Sequence, residues 1–244
     1  MKYSLVCLFL ASLTASTVSL AQDPQPQSVG VAPPYKAVFT KAHGIRGIDA
    51  PTGELSDSIQ QLAKRAAVGD GHAAAQIYAG LSACQALKNR QSLSYGSHCS
   101  GITNDDLAST GKWLDLAASL GDGEAQYAYA VGGFDAVVGV QNAQKHPEQF
   151  KAYQARAKQY LLDLADECNF DAISMIASSG GSDGIVFGSD ASTAYKFQLV
   201  REQLITGPQN IDRTYRSHLE SKLTGMQVDD AQREATKFIL HHCM

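Results

Sequence analysis

The sequence predicts an all-α protein that is built from repeated helix–turn–helix units and stabilised by disulfides. Three observations lead to this prediction. Alanine- and leucine-rich stretches with helical spacing fill most of the chain after residue 56. A short stretch centred on Gly-Asp-Gly occurs twice in register. The cysteines that remain after removal of a predicted leader are even in number, and β-strand patterning is nearly absent.

The first 21 residues have the layout of a secretory signal peptide. Lys2 precedes an apolar run over 5–13, and small residues at positions 19 and 21 mark a cleavage site after Ala21. A transmembrane anchor is the alternative, but serine and threonine interrupt the run, which is also too short to span a bilayer. We therefore expect a secreted or periplasmic mature protein without membrane insertion.

Residues 22–52 are predicted to lie outside the helical domain. The stretch 22–35 is rich in proline and glutamine and lacks periodicity, so we interpret it as a flexible tether. The stretch 35–52 contains several glycines and is expected to be irregular and to pack on the first helix. The helical-repeat domain, with capping helices at its C-terminal end, is predicted over 53–244.

The charge distribution argues against nucleic acid as a partner. The formal net charge is −4, and no cluster of lysine or arginine marks a basic face. The 7 histidines are scattered, and none has a carboxylate or cysteine at ligand spacing. We therefore predict no metal site, cofactor-binding site or catalytic constellation from these residues.

Cysteine usage indicates an oxidising compartment. Cys7 lies in the predicted signal peptide and is removed by its cleavage. The predicted mature chain then contains Cys84, Cys99, Cys168 and Cys243. Of the three possible pairings, Cys84–Cys99 and Cys168–Cys243 is favoured, because the first closes a short loop and the second ties down the last residues. A metal site is the alternative, but the chain has no C-x-x-C pair.

Start signals and apolar spacing place the helices in order along the chain. Ser56, Asn104 and Asp190 are candidate N-caps, and Pro147 suits the start of a long helix. A loop over 180–190 offers a binding edge before the last helices. The predicted helices cover 56–67, 72–84, 104–120, 124–131, 148–168, 170–179, 191–205, 210–223 and 228–241.

An internal repeat organises these helices. LAKRAAVGDGHAAAQIY from Leu62 and LDLAASLGDGEAQYAYA from Leu114 share leucine, alanine and Gly-Asp-Gly in register. LLDLADECNFDAISMIA from Leu161 keeps leucine, alanine and aspartate, but has Cys-Asn-Phe in place of Gly-Asp-Gly. The alternative is an ordinary helical bundle in which two Gly-Asp turns coincide.

The repeated turn has a physical explanation. Gly69 and Gly121 are predicted to supply left-handed helix ends without a Cβ penalty. Asp70 and Asp122 are predicted to accept amide hydrogen bonds at the start of the next helix. Alanine at the contact positions allows the two antiparallel helices of each unit to approach closely.

The stretch from Trp113 to Tyr127, W-L-x-L-A-A-x-x-G-D-x-E-A-Q-Y, resembles the Sel-1-like repeat, a relative of the tetratricopeptide repeat. The resemblance covers roughly residues 56–206 and also includes the turn at Gly69. It implies a right-handed helical solenoid that holds another protein. Exported bacterial members of this family serve as scaffolds, regulators of envelope enzymes and host-interaction proteins, and some disulfide-rich relatives bind or slowly hydrolyse β-lactams.

Two short motifs match catalytic patterns formally. Ser109 and Lys112 fit S-x-x-K, in which a lysine one helical turn away helps to activate a serine, but no K-T-G or S-D-N accompanies them. Residues 180–184 fit G-x-S-x-G, but a helix rather than a strand precedes them. We interpret the first motif as a polar helical turn and the second as a loop.

Aromatic residues on the predicted helices are the better candidates for partner binding. Tyr78, Tyr127, Tyr129 and Tyr195 are the positions we select, since tyrosine makes good contact anchors at interfaces. Tyr127 and Tyr129 lie on different sides of one helix, so one of them is expected to face outward. Trp113 is assigned to the core.

These observations favour an exported helical-repeat scaffold, an adaptor or regulator that binds another protein in the cell envelope, and not an enzyme. A β-lactam-binding or β-lactam-hydrolysing envelope enzyme is the alternative from a different class. A third hypothesis is an immunity-type protein that binds a toxin or hydrolase. The sequence therefore predicts that the partner is a protein, and it predicts neither a bound cofactor nor a nucleic-acid partner.

Overall fold

The structure is a computed structural model that describes residues 41–90, 95–179, 186–188, 190–205 and 213–244. Within these ranges the elements are helical, apart from one isolated parallel bridge between His43 and Asn169, which confirms the all-α prediction. The predicted signal peptide and the proline-rich tether lie outside the described residues. So does the G-x-S-x-G stretch at 180–184.

Thirteen α-helices occur in the described ranges, and the last continues into a π-helical turn at Ile239–Cys243. Their bounds are α1 (Leu55–Ala67), α2 (Gly71–Asn89), α3 (Tyr95–His98), α4 (Asn104–Ala108), α5 (Thr110–Ser119), α6 (Gly123–Gly132), α7 (Phe134–Val137), α8 (Val140–Lys145), α9 (Pro147–Asp166), α10 (Phe170–Ser179), α11 (Ala191–Leu204), α12 (Arg213–Glu220) and α13 (Gly225–Phe238).

The long helices pack against one another in chain order. α1 contacts α2, α2 contacts α5, α5 contacts α6, and α6 contacts α9. The order continues from α9 to α10, from α10 to α11 and from α11 to α13. Short helices lie beside their sequence neighbours: α4 and α7 pack on α5, α8 packs on α9, and α12 packs on α11.

Two of the predicted helix starts are wrong. Glu54 precedes α1 without a side-chain cap, so Ser56 lies inside the helix. The N-cap of α4 is Thr103, whose hydroxyl accepts a bond from the N–H of Asp106, and Asn104 is the first helical residue. Sequence position alone does not distinguish adjacent polar residues that can each accept the same amide proton.

The predicted helix over 104–120 is interrupted at Ser109. The Ser109 hydroxyl donates to the carbonyl oxygen of Asp106 at 2.7 Å, and the Thr110 hydroxyl donates to that of Leu107, also at 2.7 Å. Hydroxyl groups that bond to carbonyls of the preceding turn compete with the helical ladder and bend helices. α4 therefore ends where α5 begins.

The turns between α1 and α2 and between α5 and α6 have the same backbone geometry. Gly69 and Gly121 have φ of +99° and +86°, in the left-handed region that favours glycine. The N–H of Gly69 donates to Ala66 O at 3.0 Å, and that of Gly121 donates to Ala118 O at 3.1 Å. Each glycine thus ends its helix by satisfying a carbonyl that has no helical partner.

Aspartate follows each glycine and caps the next helix. Asp70 accepts from the N–H of Ala73 at 2.9 Å, and Asp122 accepts from that of Ala125 at 2.8 Å. The two turns also meet, because His72 Nδ1 lies 3.2 Å from the second carboxylate oxygen of Asp122. This contact joins the start of α2 to the start of α6.

The third turn reproduces this geometry with different residues. Cys168 has φ of +59°, and its N–H donates to Ala165 O at 2.8 Å. Asn169 caps α10 by accepting from the N–H of Ala172 at 3.0 Å. Cys168 and Asn169 therefore occupy the places of glycine and aspartate, and a residue with a side chain adopts the left-handed conformation.

Two disulfides join Cys84, Cys99, Cys168 and Cys243 in the pairing that the sequence favours. Cys84 in α2 is bonded to Cys99, which is 15 residues further along the chain. Cys168 is bonded to Cys243 across 75 residues, so the end of the π-helical turn is held against the turn before α10. All four side chains are buried.

The N-terminal strap, residues 41–54, precedes α1 and is irregular in backbone conformation. The sequence predicts that this segment packs on the first helix, and residues 49–52 do lie beside α1, where they share a recess with Ser58 and Gln61. Pro51 also lies close to Gly80 of α2. The earlier part of the strap departs from that expectation, because it crosses the first turns of α6 and α10 and bonds to Glu124 and Asp171 there.

Candidate functional site

An apolar recess beside α5, which we call the Trp113 cleft, has a volume of about 300 Å³. It lies where α1, α2, α4 and α5 meet. Its walls are apolar, while an acidic, a basic and a hydroxyl side chain stand among them. The lining residues are Ile59, Leu81, Asp106, Ser109, Lys112, Trp113 and Leu116.

The break between α4 and α5 positions the side chains of this cleft. Ser109 stands at the break, and Lys112 and Trp113 follow within the first turn of α5. Trp113 packs partly on the core, so the assignment of this residue to the core is only partly right. Leu116, one turn further on, keeps 36% of its surface exposed. An apolar surface is therefore open to solvent at this site.

Asp106 is held ionised at one side of the cleft. The hydroxyl and the backbone N–H of Thr103 both donate to one carboxylate oxygen of Asp106, at 2.7 and 2.8 Å. These two bonds hold the pKa of Asp106 below its usual value of 3.8. The cleft thus carries a fixed negative group, and Lys112 supplies a positive one.

Replacement of Thr103 by valine is expected to raise the pKa of Asp106 towards 3.8, because the hydroxyl bond that favours the carboxylate is lost. A folded-state pKa below the unfolded value contributes stability above pH 3.8 that is lost as the pH falls through the folded pKa. The Thr103→Val chain should therefore lose less stability on acidification. A carboxyl-carbon NMR titration measures the shift, and Thr103→Ser should leave the pKa low.

Ser109 and Lys112 line the same cleft, but the hydroxyl of Ser109 is already engaged. It donates to the carbonyl oxygen of Asp106 at 2.7 Å. A serine nucleophile that is activated by lysine instead needs its hydroxyl hydrogen-bonded to the base. The observed arrangement is that of a helix-terminal polar turn.

An ion pair lies on the other flank of α5. Arg156 of α9 bonds to Asp115 of α5, and roughly half of each side chain is buried. Behind it, the ring of Tyr129 stacks on Tyr153 with centroids 4.8 Å apart and meets Tyr160 edge-on at 5.3 Å. Neither Arg156 nor Asp115 is identifiable from the sequence, because residues 41 positions apart give no local signal.

The prediction that four tyrosines bind a partner is wrong for two of them. Tyr129 is 2% exposed and Tyr195 is fully buried, so neither side chain is available to a partner. Burial raises the pKa of each phenol to about 12. The hydroxyl of Tyr195 donates to Glu220 of α12, which a helical pattern within α11 does not reveal.

Tyr78 and Tyr127 are partly exposed and pack against the core. Burial, together with the negative charge of Asp171, raises the pKa of Tyr127. Neither residue lines the Trp113 cleft. Their role in binding a partner stays a prediction.

Two features of the described ranges bear on other classes of site. Among these residues, no group of three or more His, Cys, Asp or Glu side chains is placed to hold a metal ion. No helix in the same ranges combines the length and apolar character needed to cross a membrane. No protein family, characterised protein or solved structure matches this chain.

Proposed function

We propose that this chain is an exported scaffold of the cell envelope that binds another protein, and that the Trp113 cleft receives an apolar side chain of that partner. The observation that carries the proposal is the cleft itself, in which Trp113 and the exposed part of Leu116 lie beside charged groups of both signs. Tryptophan in a recess is enriched among the residues that dominate binding energy at interfaces.

The proposal includes a solenoid of Sel-1-like repeats. It is supported by the chain-order packing of the long helices and by the common geometry of the turns at Gly69, Gly121 and Cys168. In such an array each unit contacts chiefly its neighbours and leaves a continuous face for a partner. The cleft would lie between the first helices of two consecutive units, α1 and α5.

The size and chemistry of the Trp113 cleft limit the kind of partner group that it can bind. A volume of about 300 Å³ is at the lower limit of ligand pockets, which suits one large side chain better than a whole small molecule. Asp106 and Lys112 would pair with polar groups on either side of that anchor. Two disulfides support an oxidising compartment outside the cytoplasm.

Leu116→Arg tests this interface, because it places a long charged side chain at the exposed part of the cleft. With the mature chain as bait in envelope extract, we expect a stoichiometric partner whose affinity falls at least tenfold in this variant. Met226→Arg is the matched control, since Met226 is 76% exposed on α13, away from the cleft. Equal losses in both variants, or no partner for the wild-type chain, would contradict the proposal.

A β-lactam-binding enzyme is the second candidate, because Ser109 and Lys112 share the cleft. A fluorescent penicillin separates it from the scaffold. The scaffold hypothesis expects no covalent labelling, since the serine hydroxyl is bonded to a backbone carbonyl. Labelling of the wild-type chain that disappears in Ser109→Ala would establish the enzyme instead.

A further inference from the structure

The N-terminal strap is bound through its backbone to the first turns of two helices. The N–H of Ile45 donates to Asp171 at 2.7 Å, and those of Arg46 and Gly47 donate to the two carboxylate oxygens of Glu124 at 2.9 and 3.0 Å. Three consecutive N–H groups thus meet two carboxylates. Hydrogen bonds to an ionised acceptor are roughly twice as strong as neutral ones.

Two further bonds extend this contact towards the start of the strap. The N–H of His43 donates to Cys168 O at 3.3 Å, and the N–H of Phe170 donates to His43 O at 2.7 Å. They form the isolated parallel bridge with Asn169. The strap is therefore seated in the way that an extended peptide is seated on a receptor, by main-chain bonds.

The two carboxylates belong to equivalent positions of the repeat. Glu124 lies two residues after the cap Asp122, and Asp171 lies two residues after the cap Asn169. Each stands in the first turn of its helix, where the helix dipole favours negative charge. We call the surface formed by the first turns of α6 and α10 the strap groove.

The groove selects glycine at two places in the strap. Gly47 has φ of +88°, a conformation that side chains strain. A Cβ on Gly44 would lie 3.0 Å from a carboxylate oxygen of Asp171, which is closer than an ordinary contact. Ile45 is half-buried, and Ile48 packs against the core. The bound stretch thus has the pattern G-I-x-G-I.

Most residues of the strap are exposed, so it is held mainly by hydrogen bonds and buries little apolar surface. His43, Gly44, Arg46 and Gly47 are exposed, and the half-buried residues among 43–48 are Ile45 and Ile48. Segments with few buried apolar contacts and exposed backbone hydrogen bonds open at low free-energy cost. The bound residues 44–48 are joined to the start of α1 by a short connection that contains Pro51 and Gly53.

We propose that the strap groove binds residues 44–48 of a second copy of this chain, so that two chains associate by exchanging straps. The groove accepts this stretch in one chain, and a second copy presents the same glycines and isoleucines. Each hydrogen bond that is made within the chain is re-formed between chains, as in other exchanges of an identical element. The site is separate from the Trp113 cleft and does not depend on the proposed function.

A labelled peptide with the sequence of residues 41–50, KAHGIRGIDA, tests whether the groove exchanges its occupant. In the wild-type chain the attached strap competes at a millimolar-range effective concentration and keeps peptide binding weak. Gly47→Val unseats the attached strap, so we expect the peptide to bind this variant at least tenfold more tightly. Ala50→Val, an exposed change in the same segment, should bind like the wild-type chain.

Replacement of the two carboxylates tests whether the peptide binds at the strap groove. Addition of Glu124→Gln and Asp171→Asn to the Gly47→Val chain should abolish the gain in peptide binding, because the charge-assisted bonds are lost. If Gly47→Val does not fold, Gly44→Val takes its place. Peptide binding that does not increase when the strap is unseated would overturn the proposal.

Sedimentation equilibrium tests the second copy as the occupant. The wild-type chain should form a dimer as its concentration rises from micromolar to millimolar, and Gly47→Val should remain monomeric at the same concentrations. A wild-type chain that stays monomeric throughout, or a Gly47→Val chain that dimerises equally, would overturn the exchange.

Discussion

Removal of the Cys168–Cys243 disulfide is expected to lower the free energy of unfolding by about 4.5 kcal/mol, the value that the chain-entropy model gives for a loop of 75 residues. The 15-residue separation of Cys84 and Cys99 gives about 3 kcal/mol by the same model. The longer loop is therefore the stronger constraint. Urea unfolding of Cys168→Ala/Cys243→Ser, compared with Cys84→Ala/Cys99→Ser, measures the two losses.

The backbone at residue 168 adds a second component to this prediction. Cys168 is held at φ of +59°, which costs a residue with a Cβ roughly 1–2 kcal/mol but costs glycine little. Cys168→Gly/Cys243→Ser should thus be about 1 kcal/mol more stable than Cys168→Ala/Cys243→Ser, less the greater chain entropy of unfolded glycine. Equal stability of the two variants would mean that the turn relaxes once the disulfide is absent.

The helices and their turns could be predicted from the sequence because their causes are local. Apolar spacing fixes the buried face of a helix, and Gly-Asp at a helix end supplies a left-handed residue followed by a cap. The third turn shows that the same backbone geometry can form from different residues, which a search for the Gly-Asp pattern does not detect. Cys168 and Asn169 take the roles of glycine and aspartate because a disulfide holds the cysteine and the asparagine side chain has the same acceptor oxygen.

The candidate sites depend on contacts that the sequence does not encode locally. Tyr129 and Tyr195 have the helical spacing of partly exposed residues, but α9 covers the first and α12 accepts a hydrogen bond from the second. The Trp113 cleft requires the break at Ser109, which depends on bonds from the hydroxyls of Ser109 and Thr110 to carbonyl oxygens of α4. The strap has no periodicity, so its seat on Glu124 and Asp171 has no sequence signal.

Gly111→Ala is expected to destabilise the fold by about 3 kcal/mol or more, at the upper end of the range for overpacked cores. Gly111 is buried in α5, and a Cβ there would overlap the carbonyl oxygen of Ala136 and lie 2.5 Å from its carbonyl carbon. Backbone atoms of α7 are in the way, so a change of side-chain rotamer does not relieve the clash. The greater helix propensity of alanine offsets only about 1 kcal/mol.

Gly132→Ala supplies the matched control, because no atom lies within 4 Å of a Cβ built at this position of α6. Helix propensity alone then acts, and stability should stay unchanged or rise by up to about 1 kcal/mol. Thermal unfolding measures the stability of both variants. The chain has a single tryptophan, Trp113, so its fluorescence reports locally on α5. A Gly111→Ala chain as stable as Gly132→Ala would show that α7 moves away from α5 at little cost. The close approach of these helices would then contribute nothing to the position of the Trp113 cleft.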